Sequence, residues 1–205
     1  MANNNFGILL FLWSNMLIYC GLTNAYATGT IAMNIILREE WNAREPIAKH
    51  NLTERPAPYV VIHHSATRSC FSEAKCKRLV KSFQNFHMDT RKWDDIAYNF
   101  VIGQDGNVYE GRGWGLTGSH ATSYNKFSVG ICIAGTFTDY LPNEKAMNAL
   151  KQLINYGVVT GEIKDDYKLI GHRQATATEC PGKTLYETLQ SWSHWTPDTI
   201  DQRRR

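Results

Sequence analysis

Three residues with metal-binding capacity stand at the ends of apolar runs or at a turn: His63, His172 and Cys180. His63 follows Tyr59-Val60-Val61-Ile62, and His172 follows Leu169-Ile170-Gly171. Short continuous apolar runs suit strands buried on both faces, and their ends open on a rim that polar side chains can reach. Cys180 stands eight residues after His172, just before Pro181-Gly182, so a short loop can return its thiolate beside an imidazole. Two imidazoles and one thiolate make a three-ligand zinc set. A fourth position left for water is the pattern of catalytic rather than structural zinc, and no further Cys or His obviously closes the set. Zinc lowers the pKa of such a water toward neutrality and makes a nucleophile at physiological pH. Spacing alone leaves two other readings open: Cys180 as a nucleophilic thiolate paired with a histidine, or a free thiol with two unrelated half-buried histidines. His64 adjoins His63, but neighbours on a strand point to opposite faces, so both cannot serve one ligand set.

The elements that must position these residues are legible at low resolution. The central strand is read at 58–66, a helix from about Ser72 to His87 with Ser72 as N-cap, and strands at Tyr98–Ile102 and Asn107–Glu110 around a Gln104-Asp105-Gly106 turn. In the first helix, Cys76, Leu79, Val80, Phe83 and Phe86 (or His87) recur at helical spacing. A near-continuous apolar strand covers Ser128–Ala134, an amphipathic helix Asn143–Val159, a short strand Tyr167–Gly171 and a last helix about Leu185–Trp192. Strands and helices alternate without repeats, which favours an α/β sheet flanked by helices. Residues 28–57 read as an irregular segment that wraps the domain, 58–195 as the domain itself, and 196–205 as a frayed tail.

The chain has 205 residues and a formal net charge of +3, the size of one domain without a nucleic-acid signature. Phe6 to Leu22 is largely apolar, and Ala25-Tyr26-Ala27 offers small residues at signal-peptidase spacing, so residues 1–27 read as a secretory signal. No other run is long and apolar enough to span a membrane. Of five cysteines, Cys20 lies in that signal. Cys70 and Cys76 suit a local disulfide in a secreted chain, Cys132 reads as a core residue, and Cys180 is left unpaired. Asn51-Leu52-Thr53 is a glycosylation sequon, a weak signal by itself.

Several segments, in order, resemble the peptidoglycan recognition proteins, a family similar to the phage-type N-acetylmuramoyl-L-alanine amidases. They are Val61 to Ser65, Trp93 to Phe100, Tyr109 to Trp114, Gly118 to His120, Gly171 to Gln174 and Thr178 to Gly182. The resemblance runs from about Leu37 to the end of the last helix. It implies an α/β fold with a central mixed β-sheet flanked by helices and a substrate groove on one face. It also implies Zn2+ held by His63, His172 and Cys180, with Tyr98 in the place of the family's catalytic tyrosine. A phenol there can donate to a developing oxyanion. Thr178 stands where the phage relatives use a lysine, which makes the donor at that position weaker. His64, His87, Arg91 and His120 are implied along the peptide groove, where a guanidinium suits the carboxylates of a stem peptide.

The resemblance implies one of two functions. The first is a secreted innate-immunity amidase that cuts the amide between N-acetylmuramic acid and L-alanine of bacterial peptidoglycan. The second is a non-catalytic sensor that binds peptidoglycan and signals through a protein partner. Loss of the cysteine ligand marks the family's non-enzymatic members, and Cys180 is present. Binders of the diaminopimelate stem carry Gly-Trp after the groove arginine and an arginine within Gly-x-Gly-Trp. Lysine-type binders tend to carry Asn-Phe at the first place and lack that arginine. Here the first pair is Lys92-Trp93, matching only in Trp93, while Arg112 occupies the second motif. The expectation is a preference for diaminopimelate-type peptidoglycan.

Overall fold

Tyr59 to Ile62 are all buried, as residues of an interior strand covered on both faces of the sheet must be. In the computed structural model, which describes residues 33–198 and Ile200, this strand is β2 (Ala57–His64). The expected signal segment 1–27 and positions 201–205 lie outside the described residues. The other strands are β1 (Ile35–Ile36), β3 (Phe100–Ile102), β4 (Val108–Glu110), β5 (Ser128–Ile133) and β6 (Ile163–Gly171). The helices are α1 (Glu73–Asn85), α2 (Glu144–Val159) and α3 (Lys183–Leu189). The six strands form one mixed sheet in the order β1-β4-β3-β5-β2-β6. Only the β3–β4 pair is antiparallel.

Alternation along the strands divides the core into layers. Val60, Ile62, Phe100, Ile102, Ile131 and Ile133 pack with Leu150 and Leu153 of α2 and with Leu185 and Leu189 of α3. The residues between them, Val101 and Cys132, pack on the opposite face with Cys76, Val80 and Phe83 of α1. This is the helix-flanked mixed sheet that the resemblance implies. The Asn143 side chain caps α2 by accepting from the Ala146 amide at 3.0 Å.

Four local features differ from the sequence reading. Residues 33–57 do more than wrap: β1 adds a parallel edge strand beside β4, and Ile36 and Trp41 are buried with the α1 layer. Strand β3 starts at Phe100, not Tyr98, because the Tyr98 and Asn99 carbonyls accept from the amides of Arg112, Gly111 and Gly113. Strand β6 starts at Ile163, earlier than its apolar run. As the sheet's edge it tolerates the exposed pair Asp165-Asp166. Finally, α1 passes into a π-helical turn, Phe86–Thr90, whose extra residue per turn shifts the inward face. Phe86 is thereby 48% exposed and His87 turns inward.

Cys70 and Cys76 are joined in a disulfide that ties the segment ahead of α1 to the first turn of that helix, closing a short loop. Cys132 and Cys180 are free and buried. In the chain-entropy account so short a loop contributes about 2 kcal/mol. Replacing Cys70 and Cys76 together with alanine is expected to lower unfolding stability by that amount, read from urea denaturation with midpoint and slope both fitted. No helix among the described residues is long and apolar enough to cross a membrane.

Candidate active site

Strands β2 and β6 are parallel neighbours with Ile62 opposite Gly171, so the next residues, His63 and His172, stand side by side at the same rim of the sheet. Their ring centroids lie 4.4 Å apart. The loop after His172 is closed by the Arg173 amide donating to the Cys180 carbonyl at 2.9 Å. Within it, the Thr178 hydroxyl accepts from the Cys180 amide at 3.3 Å. The returning thiol meets the His64 backbone, whose amide donates to Sγ at 3.3 Å, and lies 3.8 Å from His63 Nδ1. One ligand atom each from His63, His172 and Cys180 falls within 4.8 Å of the other two. His64 thus serves this cluster through its backbone. Its ring turns away, and Nδ1 accepts from the Phe137 amide at 3.3 Å.

The surroundings of these three keep their donor atoms free of protons or neutral. Burial, followed by the neighbouring His120, His172 and His64, holds the His63 pKa well below its ordinary value. Burial, then His64, lowers His172 to about 4. Both rings are therefore neutral at pH 7 and offer lone pairs. Burial pushes the Cys180 thiol up to about 12, against smaller opposing effects of the His64 amide and Arg173. A thiolate–imidazolium nucleophile needs the opposite shifts, a low thiol and a high imidazole. A bound divalent cation deprotonates a coordinating thiol outright. The donor set therefore fits zinc, and the cysteine–histidine nucleophile loses its basis.

A groove of about 680 Å³ lies over the cluster. Tyr98 lines it, with its ring 5.3 Å from that of His63. Burial, then the nearby Cys132 and Cys180, raises the Tyr98 pKa well above its usual value, so the group stays a phenol and a donor. Farther along, His87 stacks on Trp93 with centroids 5.2 Å apart. The His87 Nδ1 accepts from the Ala97 amide at 3.1 Å, and burial, followed by Arg112 and Arg91, lowers its pKa to about 4. The ring is thus neutral with its single N–H on Nε2. The Arg91 guanidinium sits over the Phe86 ring at 5.5 Å, exposed at the groove wall. Lys92 beside it holds a left-handed φ of 60°, a conformation that favours glycine.

Two of the expected groove residues turn inward. His120 borders the groove, yet its Nδ1 lies 3.0 Å from His63 Nε2 and its Nε2 faces Ser128. Arg112 does not line this groove and borders a separate pocket instead, with Arg38, His50 and Asp95. It is 8% exposed and donates to the Ile96 carbonyl at 2.7 Å, the Thr117 carbonyl at 3.1 Å and the Ser119 hydroxyl at 2.8 Å. Ser119 itself lines the groove, so Arg112 lies directly beneath its wall. Asn51 is exposed, as a glycan acceptor must be, and the Thr53 hydroxyl of its sequon donates to the Lys126 carbonyl at 2.9 Å.

One site-shaping residue escaped the sequence reading. Asn99 is fully buried and bridges the Gly113 and Leu116 carbonyls (2.9 and 2.8 Å) to the Gly130 amide (2.9 Å), which fixes the Arg112 loop on β5. Cys132, read from the sequence as a core residue, is fully buried and close enough to Tyr98 to help raise the pKa of its phenol. The Asp-Ile-Ala-Tyr-Asn-Phe motif contains Asn99, so a polar residue within an apolar strand was the available signal.

Comparison with known proteins agrees with this arrangement. The N-acetylmuramoyl-L-alanine amidase family matches residues 53–183. Peptidoglycan-recognition protein LE of Drosophila melanogaster is 45% identical over 161 residues, which take in 78% of this chain and 47% of that protein. The chain thus spans about half the length of that relative. The wild-type Drosophila PGRP-LB structure superposes with a TM-score of 0.80 at 42% identity, over 82% of this chain and 99% of that one. A crystal structure of PGRP-LE in complex with tracheal cytotoxin, a monomeric diaminopimelic acid-type peptidoglycan, gives 0.78 at 44% identity, over 82% and 98%. By family match, by identity and by fold, the chain belongs to the peptidoglycan recognition proteins, with an N-acetylmuramoyl-L-alanine amidase domain.

Proposed function

We propose that this protein is a secreted, zinc-dependent amidase that hydrolyses the bond between N-acetylmuramic acid and L-alanine in peptidoglycan. The observation that carries the reading is the convergence of His63, His172 and Cys180 within 4.8 Å, at the floor of a groove. Zinc, when bound there, supplies Lewis-acid activation of a carbonyl and lowers the pKa of a coordinated water. The chain's own residues do the rest. Tyr98, kept as a phenol, donates to the oxygen of the scissile carbonyl as negative charge develops on it. The Thr178 hydroxyl, bonded to the Cys180 amide, holds the ligand loop in shape and is a weaker partner for the substrate than a lysine would be. The neutral His87 offers a single N–H, and Arg91 a guanidinium, to the carbonyls and carboxylates of a stem peptide. Secretion is supported by the Cys70–Cys76 disulfide, a bond kept in oxidising compartments. The zinc content of purified protein and the release of stem peptide with a free L-alanine amine from muropeptide test the reading together. Zinc-loaded protein that leaves muropeptide intact would point to a sensor instead.

The preferred substrate is the diaminopimelate-type stem. Its extra carboxylate calls for a fixed cation, and Arg112 is held in place by three hydrogen bonds beneath the groove wall. Each terminal nitrogen keeps a second N–H, and the guanidinium is joined to the groove through Ser119. The binding of a diaminopimelate muropeptide by a relative of the same fold supports this choice. Arg112→Ala is expected to lose discrimination between diaminopimelate and lysine stems by about 1.5–3 kcal/mol, the scale of a charge-assisted hydrogen bond. Equal kcat/KM of the wild-type protein on the two stems would refute the preference.

A further inference from the structure

The hydrogen bonds behind His63 have only one consistent polarity. The Ser128 hydroxyl lies 2.7 Å from the Tyr124 carbonyl, which can only accept, so the hydroxyl proton is committed there. What Ser128 has left to offer His120 Nε2, at 3.5 Å, is a lone pair. A neutral imidazole carries one N–H. His120 therefore bears its proton on Nε2 and presents a bare Nδ1. That atom lies 3.0 Å from His63 Nε2, which must donate to it. His63 in turn is left bare at Nδ1, the atom that faces Cys180 Sγ at 3.8 Å.

The surroundings hold His120 in this role. His63 and His120 are 1% and 6% exposed. The backbone amides of His120 and Ala121 both donate to Asn125 Oδ1, at 2.9 and 2.8 Å, which fixes the start of the ring's stem. The ring lies in a slot between two glycines. A Cβ at Gly118 would fall 2.4 Å from His120 Cδ2, and one at Gly130 would fall 2.2 Å from the same atom. Only glycine at both places leaves room for the imidazole.

We propose that His120 is a positioning residue for the metal ligand His63: with Ser128 and the Tyr124 carbonyl it forms a one-way hydrogen-bond chain that sets the His63 tautomer and aims Nδ1 at the metal position. This rests on the zinc reading above, and it gives His120 a task other than contact with the stem peptide. Partners that hold the second nitrogen of a metal-bound histidine contribute about 10–100-fold in metal affinity.

The test is zinc affinity of the full chain, measured by competition with a chromophoric chelator, for wild type, His120→Ala and His120→Asn. His120→Ala is expected to bind zinc about 10–100-fold more weakly. His120→Asn, whose side-chain oxygen can take the place of Nδ1, is expected to recover much of that loss. An alanine variant that binds zinc as tightly as wild type, or alanine and asparagine variants equally impaired, would overturn the proposal. The tautomers of the metal-free wild-type protein, read from nitrogen-15 spectra of its imidazoles, need no variant to fold. His63 and His120 should both carry their proton on Nε2, and a His63 protonated on Nδ1 would overturn the proposal as well. Wild-type protein with no zinc affinity at all defeats the amidase reading instead, and the tautomer measurement separates the two failures.

Discussion

Cys180→Ser is expected to abolish hydrolysis of muropeptide while leaving groove binding largely intact. Serine in this setting is a neutral hydroxyl, and it replaces the one anionic ligand in a set whose two other donors are neutral imidazoles. Metal activation is worth several kcal/mol, and each 1.4 kcal/mol or so is tenfold in rate, so a loss of roughly a thousandfold or more follows. The groove walls are built by other residues. His87 is held by Ala97 and Trp93, and Arg91 by Phe86, none of which touches the thiol. Calorimetric binding of a muropeptide to the serine variant should therefore stay within a few-fold of wild type. Turnover by that variant at the wild-type rate would eliminate the zinc mechanism.

The second large effect is structural and acts on the same ligand from its other side. Gly182 holds φ 94° and ψ 152°, a region essentially reserved for glycine. A Cβ there would fall 2.3 Å from the Phe137 carbonyl oxygen and 2.4 Å from its carbon, and backbone atoms cannot swing aside as a flexible side chain could. Conformational strain of about 1–3 kcal/mol adds to an overpacking cost of similar size. Gly182→Ala is expected to destabilise the protein by roughly 3–5 kcal/mol in chemical denaturation. It should also weaken zinc binding, because the displaced turn carries Cys180 two residues away. A variant within 1 kcal/mol or so of wild type in stability would mean that the loop relaxes freely, contrary to the ordinary stiffness of packed interiors.

What the sequence determined by itself was the chemistry and the local frame. Apolar runs ending in His63 and His172, and a cysteine before Pro181-Gly182, marked three donors of the right types, because burial on both faces of a strand leaves a continuous hydrophobic signature. The helical spacing of Cys76, Val80 and Phe83 marked the layer beneath the groove for the same reason. Tertiary structure decided which atom meets which. His63 and His172 are 109 positions apart in number, and only the β2–β6 register, with Ile62 opposite Gly171, puts them at one rim. His120 and Arg112 looked alike in sequence, polar residues in Gly-rich motifs. The folded chain turns both inward, one to His63 and the other to the Ile96 and Thr117 carbonyls. The π-helical turn exchanges Phe86 for His87 on the inner face, and β1 enters the sheet beside a strand more than 70 positions later. Periodicity reports whether a side chain is buried, since burial depends on the local face. The partner of a polar atom is set by segments distant in sequence, and that information exists only once the sheet is assembled.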